Sequence, residues 1–243
     1  MSAIRKASRF AVHPAVLTVY AALIAAANLL PAIPMLGVGG SFTVADALVP
    51  LSGVFFGPWY GALSAAVGCF VGTLLAPTSA WLGVFTFLTG TIAALCAGLV
   101  WQRHGLITAG IQVFGILIHY VLPQGSKSMI FALTMFGSGC VVSLLSGLLH
   151  RLKPRLPLWL WQALMIWCSC FAGLTGTAAL YQIAHMLLFK LPVVTWKILA
   201  VSAPLERACF AAGSVVVGLP LLRSLPKIGV SVGVWKEKPA SKS

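Results

Sequence analysis

The feature that most constrains this chain is a near-continuous succession of apolar runs, most of them long enough to cross a lipid bilayer. Because backbone N–H and C=O groups in lipid must find partners within the segment, these runs are predicted to be helices. About eight runs can be traced: Ala15 to Leu30, Ala45 to Phe56, Trp59 to Leu75, Trp81 to Trp101, Leu106 to Leu122, Met129 to Leu149, Leu158 to Phe189 and Pro204 to Leu222.

Composition excludes a water-soluble fold. Apolar residues make up 60% of the chain and charged residues 8%, and the mean hydropathy is +1.01, whereas ordinary soluble domains contain about 25% charged residues. The sequence therefore predicts an all-α integral membrane protein, a bundle of about six to eight transmembrane helices. We expect residues 1–243 to form a single transmembrane domain, with basic cytoplasmic ends at 1–12 and 226–243. The second run is short, so it either tilts or pairs with the third as a partly re-entrant unit.

The basic residues indicate how the bundle is oriented. When the runs are threaded alternately from an inner N-terminus, the outer side collects only Lys127, Lys190 and Lys197, with Arg207 near the outer end of the last run. The other twelve Lys and Arg fall on the inner side, as the positive-inside rule requires. Both termini are therefore expected to be cytoplasmic. The net charge of +13 is explained by membrane orientation and not by nucleic-acid binding.

Few residues are available for catalysis. The acidic residues are Asp46, Glu206 and Glu237, and the chain has no G-x-x-x-x-G-K-[ST] or H-E-x-x-H motif, so it is not expected to hydrolyse ATP by that route or to be a common metalloprotease. The six cysteines all lie inside apolar runs, which favours packing over a disulfide framework or a zinc site. We expect no catalytic residue, metal or cofactor.

Two of the acids have both a structural and a functional interpretation. Asp46 is the fourth residue of Thr43-x-x-Asp46, a pattern typical of a capping box at a helix start. Glu206 and Arg207 follow Pro204, an order that favours the first turn of a helix. Ionisable groups within a membrane span are nevertheless functional candidates, because burying them is costly.

The outer half of the predicted bundle is more polar than its middle. Such a mixture of polar and aromatic groups suits an outward-facing pocket for a small, partly aromatic molecule. The candidate substrate-binding residues are Asn28, Asp46, His119, Tyr120, Tyr181, His185, Trp196, Glu206 and Arg207.

Small residues recur at helical spacing in two runs, where they allow close approach of helices in lipid. In and just before the first run, Ala11, Ala15, Ala22 and Ala26 lie near one helical face, and the third run has Gly61, Ala65, Gly68 and Gly72. Packing inside the chain is sufficient to explain the glycine stripe. For the alanine stripe a partner protein is an alternative.

Three stretches carry a resemblance to a known family. The sequence from Gly39 through Asp46 to Pro50, running through Gly57-Pro58 into Gly61-Ala62, resembles the second and third helices of substrate-binding S components of energy-coupling factor (ECF) transporters. Residues 21–26, followed by the loop from Pro31 to Pro34, resemble the family's first helix, and 204–207 through 218–222 resemble its last helix in some members. The family is typically six-helical, and residues 106–189 supply more apolar length than that pattern needs.

The resemblance implies a subunit that captures a vitamin or other micronutrient with high affinity. It would dock onto a transmembrane T component driven by two ATPase subunits, through an A-x-x-x-A surface matched here by Ala22 and Ala26 or by Ala21 and Ala25. The family's first loop closes over the substrate, and Gly37, Gly39 and Gly40 of the corresponding loop would permit a hinge.

Two other classes of function compete with substrate capture. One is a stand-alone membrane enzyme that uses Glu206 with His119 or His185 as acid and base. The other is a membrane assembly subunit without a ligand. The alanine stripe is compatible with capture or assembly, and the polar outer half with capture or catalysis.

Overall fold

The computed structural model describes residues 13–34, 41–77, 80, 82–122, 125–188, 192–230 and 232. This part of the chain folds into seven α-helices and one two-stranded antiparallel sheet. In chain order the elements are α1 (Pro14–Ala27), β1 (Pro31–Pro34), β2 (Ser41–Thr43), α2 (Ala45–Leu75), α3 (Phe87–Trp101), α4 (Gly105–Val121), α5 (Met129–Leu152), α6 (Leu158–Leu188) and α7 (Val193–Ser224).

The helices have the length and composition of membrane spans. Five are long and apolar enough to cross a membrane (α2, α5, α6, α7, and α3 with the 3₁₀ turn before it), while α1 and α4 are shorter apolar helices. The predicted all-α membrane bundle is thus confirmed. The short sheet was not predicted from the sequence: the ends of the loop between α1 and α2 pair as β1 and β2.

Helix α2 is a hairpin of two helices. Its backbone leaves the helical region at Gly57 (φ 84°, ψ 175°), just before Pro58, and the Ser52 hydroxyl donates to the Gly61 carbonyl at 2.9 Å. In a straight helix these two residues would lie about 13 Å apart along the axis, so the chain reverses at Gly57. The two arms, residues 45–56 (α2a) and 58–75 (α2b), match the predicted second and third runs and their pairing.

Glycines allow the hairpin arms to pack closely against their neighbours. A side chain on Gly53 of α2a would collide with the Ala94 carbonyl of α3. On α2b, Gly61 abuts α2a, Gly68 abuts α1 at Ala21, and Gly72 abuts the Asn28 side chain. The glycine stripe is therefore used inside the chain, as predicted.

The two C-terminal helices pack against the others as part of one bundle. Helix α6 is the most enclosed span, with 78% of its most apolar stretch buried, against 22% for α7. Gly173 of α6 fits against the Ala93 carbonyl of α3 at 2.5 Å, measured from the position of an added Cβ. In α7 the Ser214 hydroxyl donates to the Ala47 carbonyl of α2a at 2.7 Å.

The predicted start of the last helix was wrong. Helix α7 begins at Val193, so Pro204 lies inside it and Glu206 and Arg207 are not in a first turn. Proline and an acid are favoured at helix starts, but membrane helices also tolerate internal proline. The sequence signal could not distinguish the two cases.

The contacts between helices also show which elements lie at the same end of the bundle. Val49 lies beside Gly90 and Gly53 beside Ala94, so α2a and α3 run in the same direction. Their far end, near Gly57 and Gly98, also holds the junction between α5 and α6 and the end of α7. We call this the basic end, because it carries a set of exposed cations: Arg103, Arg151, Lys153, Arg155, Arg223 and Lys227.

Candidate functional site

A cavity lies at the end of the bundle opposite the basic end. It has a volume of about 80 Å³, measured as the space open to the centres of water molecules, which is room for several waters. Residues from both strand β2 and helices across the bundle line it: Asn28, Ser41, Phe42, Thr43, Ala45, Asp46, Val49, Cys69, Thr73, Thr86, Thr89, Gly90, Ala93, Leu174, Thr177, Tyr181, Arg207 and Phe210.

Charged side chains meet on one side of this cavity. Arg207 of α7 donates from Nη1 to Glu206 Oε2 and from Nη2 to the Tyr181 hydroxyl of α6, both at 2.8 Å. Asp46 accepts a hydrogen bond from the Thr43 backbone N–H at 2.8 Å and interacts electrostatically with Arg207. Four predicted site residues from distant parts of the chain therefore share one cavity: Asn28, Asp46, Tyr181 and Arg207.

The Asp46 contact matches half of the predicted capping box. In such a box, the acidic side chain reaches back to the backbone N–H three residues earlier, and Asp46 does this with Thr43. The same carboxyl lines the cavity. The structural and functional interpretations of Asp46 are thus compatible.

Strand β2 is held over the cavity by aromatic contacts with α7. The Phe42 ring lies 4.5 Å from the Arg207 guanidinium carbon and 5.6 Å from the Phe210 ring. Cation–π and tilted ring contacts of this kind stabilise the half-buried Phe42 ring. Phe42 thereby joins the segment between α1 and α2 to the last helix.

Hydroxyl and amide groups supply much of the remaining lining. The Thr177 hydroxyl of α6 donates to the Thr89 carbonyl of α3 at 2.7 Å, and the Thr73 hydroxyl donates to the Cys69 carbonyl at 2.7 Å. A hydroxyl that donates one hydrogen bond can still accept others. The cavity therefore combines aromatic surface with several groups able to bind a hydroxylated molecule.

His119 and Trp196, which were predicted for the same pocket, lie in a different cluster. The His119 ring is buried among Phe131, Phe136 and Trp196, and its Nδ1 lies 3.0 Å from the Gly115 carbonyl oxygen. Its Nε2 is buried with no hydrogen-bond partner among the described residues. The described lining of the cavity includes neither His119 nor Trp196.

The remaining candidates occupy other places. Tyr120 is 72% exposed on the outer surface of α4, and the side chain of His185 lies outside the described residues. Glu206 is ion-paired with Arg207, while His119 belongs to the aromatic cluster. The described contacts therefore do not bring Glu206 and His119 together as an acid–base pair. Among the described residues, no group of three or more His, Cys, Asp or Glu is placed to hold a metal.

Several lining residues were not predicted from the sequence, among them Phe42, Thr73, Thr89, Thr177 and Phe210. Threonines in apolar runs are common helix-packing residues, so nothing in their local sequence marks them as cavity residues. The available signal was weak: Phe42 lies within the stretch that resembles S components, and Phe210 is one helical turn from Arg207.

The structure distinguishes between the two alanine pairs of α1. Ala21 and Ala25 are buried inside the chain, at 4% and 6% exposure, whereas Ala22 and Ala26 are exposed. The alternative that Ala21 and Ala25 form a docking surface does not fit their burial inside the chain. Gly37, Gly39 and Gly40 of the predicted hinge lie outside the described residues.

Comparison with known proteins assigns the chain to a family. The family model described as "ECF-type riboflavin transporter, S component" matches residues 12–149, more than half of the chain and all of α1 to α4 with most of α5. No match was found among curated proteins or among solved structures. The resemblance of residues 204–222 lies beyond the matched range and stays a prediction. With its apolar helices and this match, the chain belongs to the family of S components of ECF-type riboflavin transporters, the substrate-binding subunits of a membrane transport system.

Proposed function

We propose that this chain captures riboflavin, or a vitamin of similar shape and polarity, with high affinity at the outer face of the cell membrane. One observation carries the proposal: the cavity combines aromatic and hydroxyl-bearing side chains in a chain whose residues 12–149 match the family model of riboflavin-transporter S components. Riboflavin has a flat ring system and a chain of hydroxyl groups. Phe42 and Phe210 offer ring surface, and Asn28, Thr73 and Thr177 offer hydrogen-bonding groups.

The charge distribution supports an outward-facing cavity. The basic end lies opposite the cavity, and cytoplasmic surfaces of membrane proteins carry the excess of Lys and Arg. The described acids, Asp46 and Glu206, lie at the cavity end. We infer that the cavity opens outside and that both termini are cytoplasmic, so the protein would collect its substrate from the surroundings.

The energy for uptake would come from other chains. The sequence lacks a P-loop motif, and membership in the family supports association with a transmembrane T component and ATPase subunits. Ala22 and Ala26 are exposed on α1, and small residues allow close approach of a partner helix in lipid. We propose that this face of α1 docks onto the T component.

Flavin titration tests the proposal. Riboflavin added to the purified protein should bind with a Kd of about 1 µM or tighter, measured by quenching of flavin fluorescence. Phe42→Ala removes a cavity ring and should weaken binding about tenfold or more. Phe114→Ala removes an exposed ring on α4 (49% exposed) and should leave the Kd unchanged.

Absence of flavin binding would refute the proposal. Equal effects of the two phenylalanine variants would refute the site. A protein that binds no small molecule but still associates with membrane partners would instead favour the assembly role.

A further inference from the structure

The described lining of the cavity contains one cation, and its charge is already engaged. Arg207 donates hydrogen bonds to Glu206 and to Tyr181, and the Phe42 ring covers it. The residue is only 6% exposed. Contacts of a buried charge are little screened by water, and breaking them is costly.

A second carboxyl, that of Asp46, adds negative charge beside the Glu206–Arg207 ion pair. Asp46 lines the cavity and interacts electrostatically with Arg207. If both carboxyls are ionised, Asp46, Glu206 and Arg207 together carry a charge of −1, and if one is protonated they carry none. In neither case does this group offer the excess of positive charge that binds phosphate in buried sites.

We propose that Glu206 is a specificity-determining residue, which neutralises Arg207 and thereby reserves the cavity for the uncharged vitamin against its phosphorylated form. The inference rests on the proposed function. A phosphate in the cavity would either displace Glu206 from Arg207 or stay unpaired beside two carboxyls. Both outcomes cost free energy, and rejection by an unfavourable charge is a common source of specificity.

A matched set of ligands tests this on the unsubstituted protein. Riboflavin, riboflavin 5′-phosphate and a neutral 5′-ester of similar size share the ring system and differ at the end of the chain. The phosphate should bind about 100-fold more weakly than riboflavin, or worse. The neutral ester should bind within about tenfold of riboflavin, which separates charge from size.

Substitution of Glu206 tests the residue itself. Glu206→Gln removes one carboxylate and frees part of the Arg207 fork, so the preference for riboflavin over its phosphate should fall about tenfold or more. The double variant Glu206→Gln, Arg207→Gln should lose this gain. Monodisperse elution and an unfolding transition check that each variant is folded.

The outcomes separate the inference from the proposed function. If riboflavin does not bind, the proposed function fails and the inference fails with it. If riboflavin and its phosphate bind equally, or if the phosphate and the neutral ester are rejected equally, the inference alone is overturned. An unchanged preference in folded Glu206→Gln would also overturn it. Should that variant not fold, the three-ligand comparison on the unsubstituted protein decides.

Discussion

The segment that matches the family and the two helices beyond it differ in what they contribute to the cavity. The matched segment, residues 12–149, supplies the strand and most of the hydroxyl groups, including Thr73 and Thr89. Helices α6 and α7 supply Arg207 and the phenol that it contacts, Tyr181. The difference teaches that most of the cavity lining lies within the matched range, while Arg207, the cation of the described lining, lies outside it.

The largest effect is expected from a substitution at the contact between α6, beyond the matched segment, and α3, within it. Gly173→Val places a branched side chain against the Ala93 carbonyl, so we expect loss of the folded, monodisperse protein in detergent. Gly110→Val on α4 is the control, because an added Cβ there meets nothing within 4 Å. If both variants elute alike, α6 is not an integral part of the bundle.

Removal of the cavity cation should have the next largest effect, a loss of stability. Arg207→Gln leaves Glu206 and Asp46 without their partner, and breaking a buried ion pair costs about 3–5 kcal/mol. A lower thermal unfolding temperature in detergent would report this loss. Lys227→Gln, at the exposed basic end, should leave the unfolding temperature unchanged. Equal unfolding temperatures for the two variants would contradict a structural role of the charged group.

Within the matched segment, a substitution on the exposed face of α1 should affect partner docking without affecting ligand binding. Ala22→Trp should abolish uptake in cells, because it blocks close helix approach, and should leave riboflavin affinity within about twofold of the unsubstituted protein. Ala21→Trp changes the adjacent buried alanine and should instead destabilise the fold by overpacking, typically by about 1–3 kcal/mol or more. Normal uptake with Ala22→Trp would exclude this face as the docking surface.

The smallest effects are expected when one cavity hydroxyl is removed from each region. Thr73→Val in α2b and Thr177→Val in α6 each remove one hydroxyl from the cavity. Each should weaken riboflavin binding about two- to tenfold, the worth of one hydrogen bond, when measured by the same titration. A loss confined to Thr73→Val would indicate that α6 only supports the cavity and does not contact the ligand.

The sequence predicted the fold better than the site, for a physical reason. Apolar length and the need to satisfy the backbone in lipid determine where helices form, so the runs matched the helices and even the pairing of 45–56 with 58–75. The start of α7 was missed because the signal at Pro204 to Arg207 occurs both at helix starts and in helix interiors.

Site prediction requires knowing which helix faces meet, and helical spacing alone does not give this. Asn28, Asp46, Tyr181 and Arg207 converge, whereas His119 and Trp196, which were predicted for the same pocket, face each other in the aromatic cluster. Tyr120, adjacent to His119 in the chain, points outward. The partner of a helix face can lie far along the chain, as Phe210 does from Phe42, so tertiary packing decides which residues meet.

The most direct test of the account is hydrogen–deuterium exchange with and without riboflavin, read out by mass spectrometry. We predict slower exchange on binding in both regions: at residues 41–49 and 86–93 in the matched segment, and at 174–181 and 207–210 in the C-terminal helices. Slower exchange restricted to the segments around His119 and Trp196, or no change in α6 and α7, would contradict a site shared between the two regions.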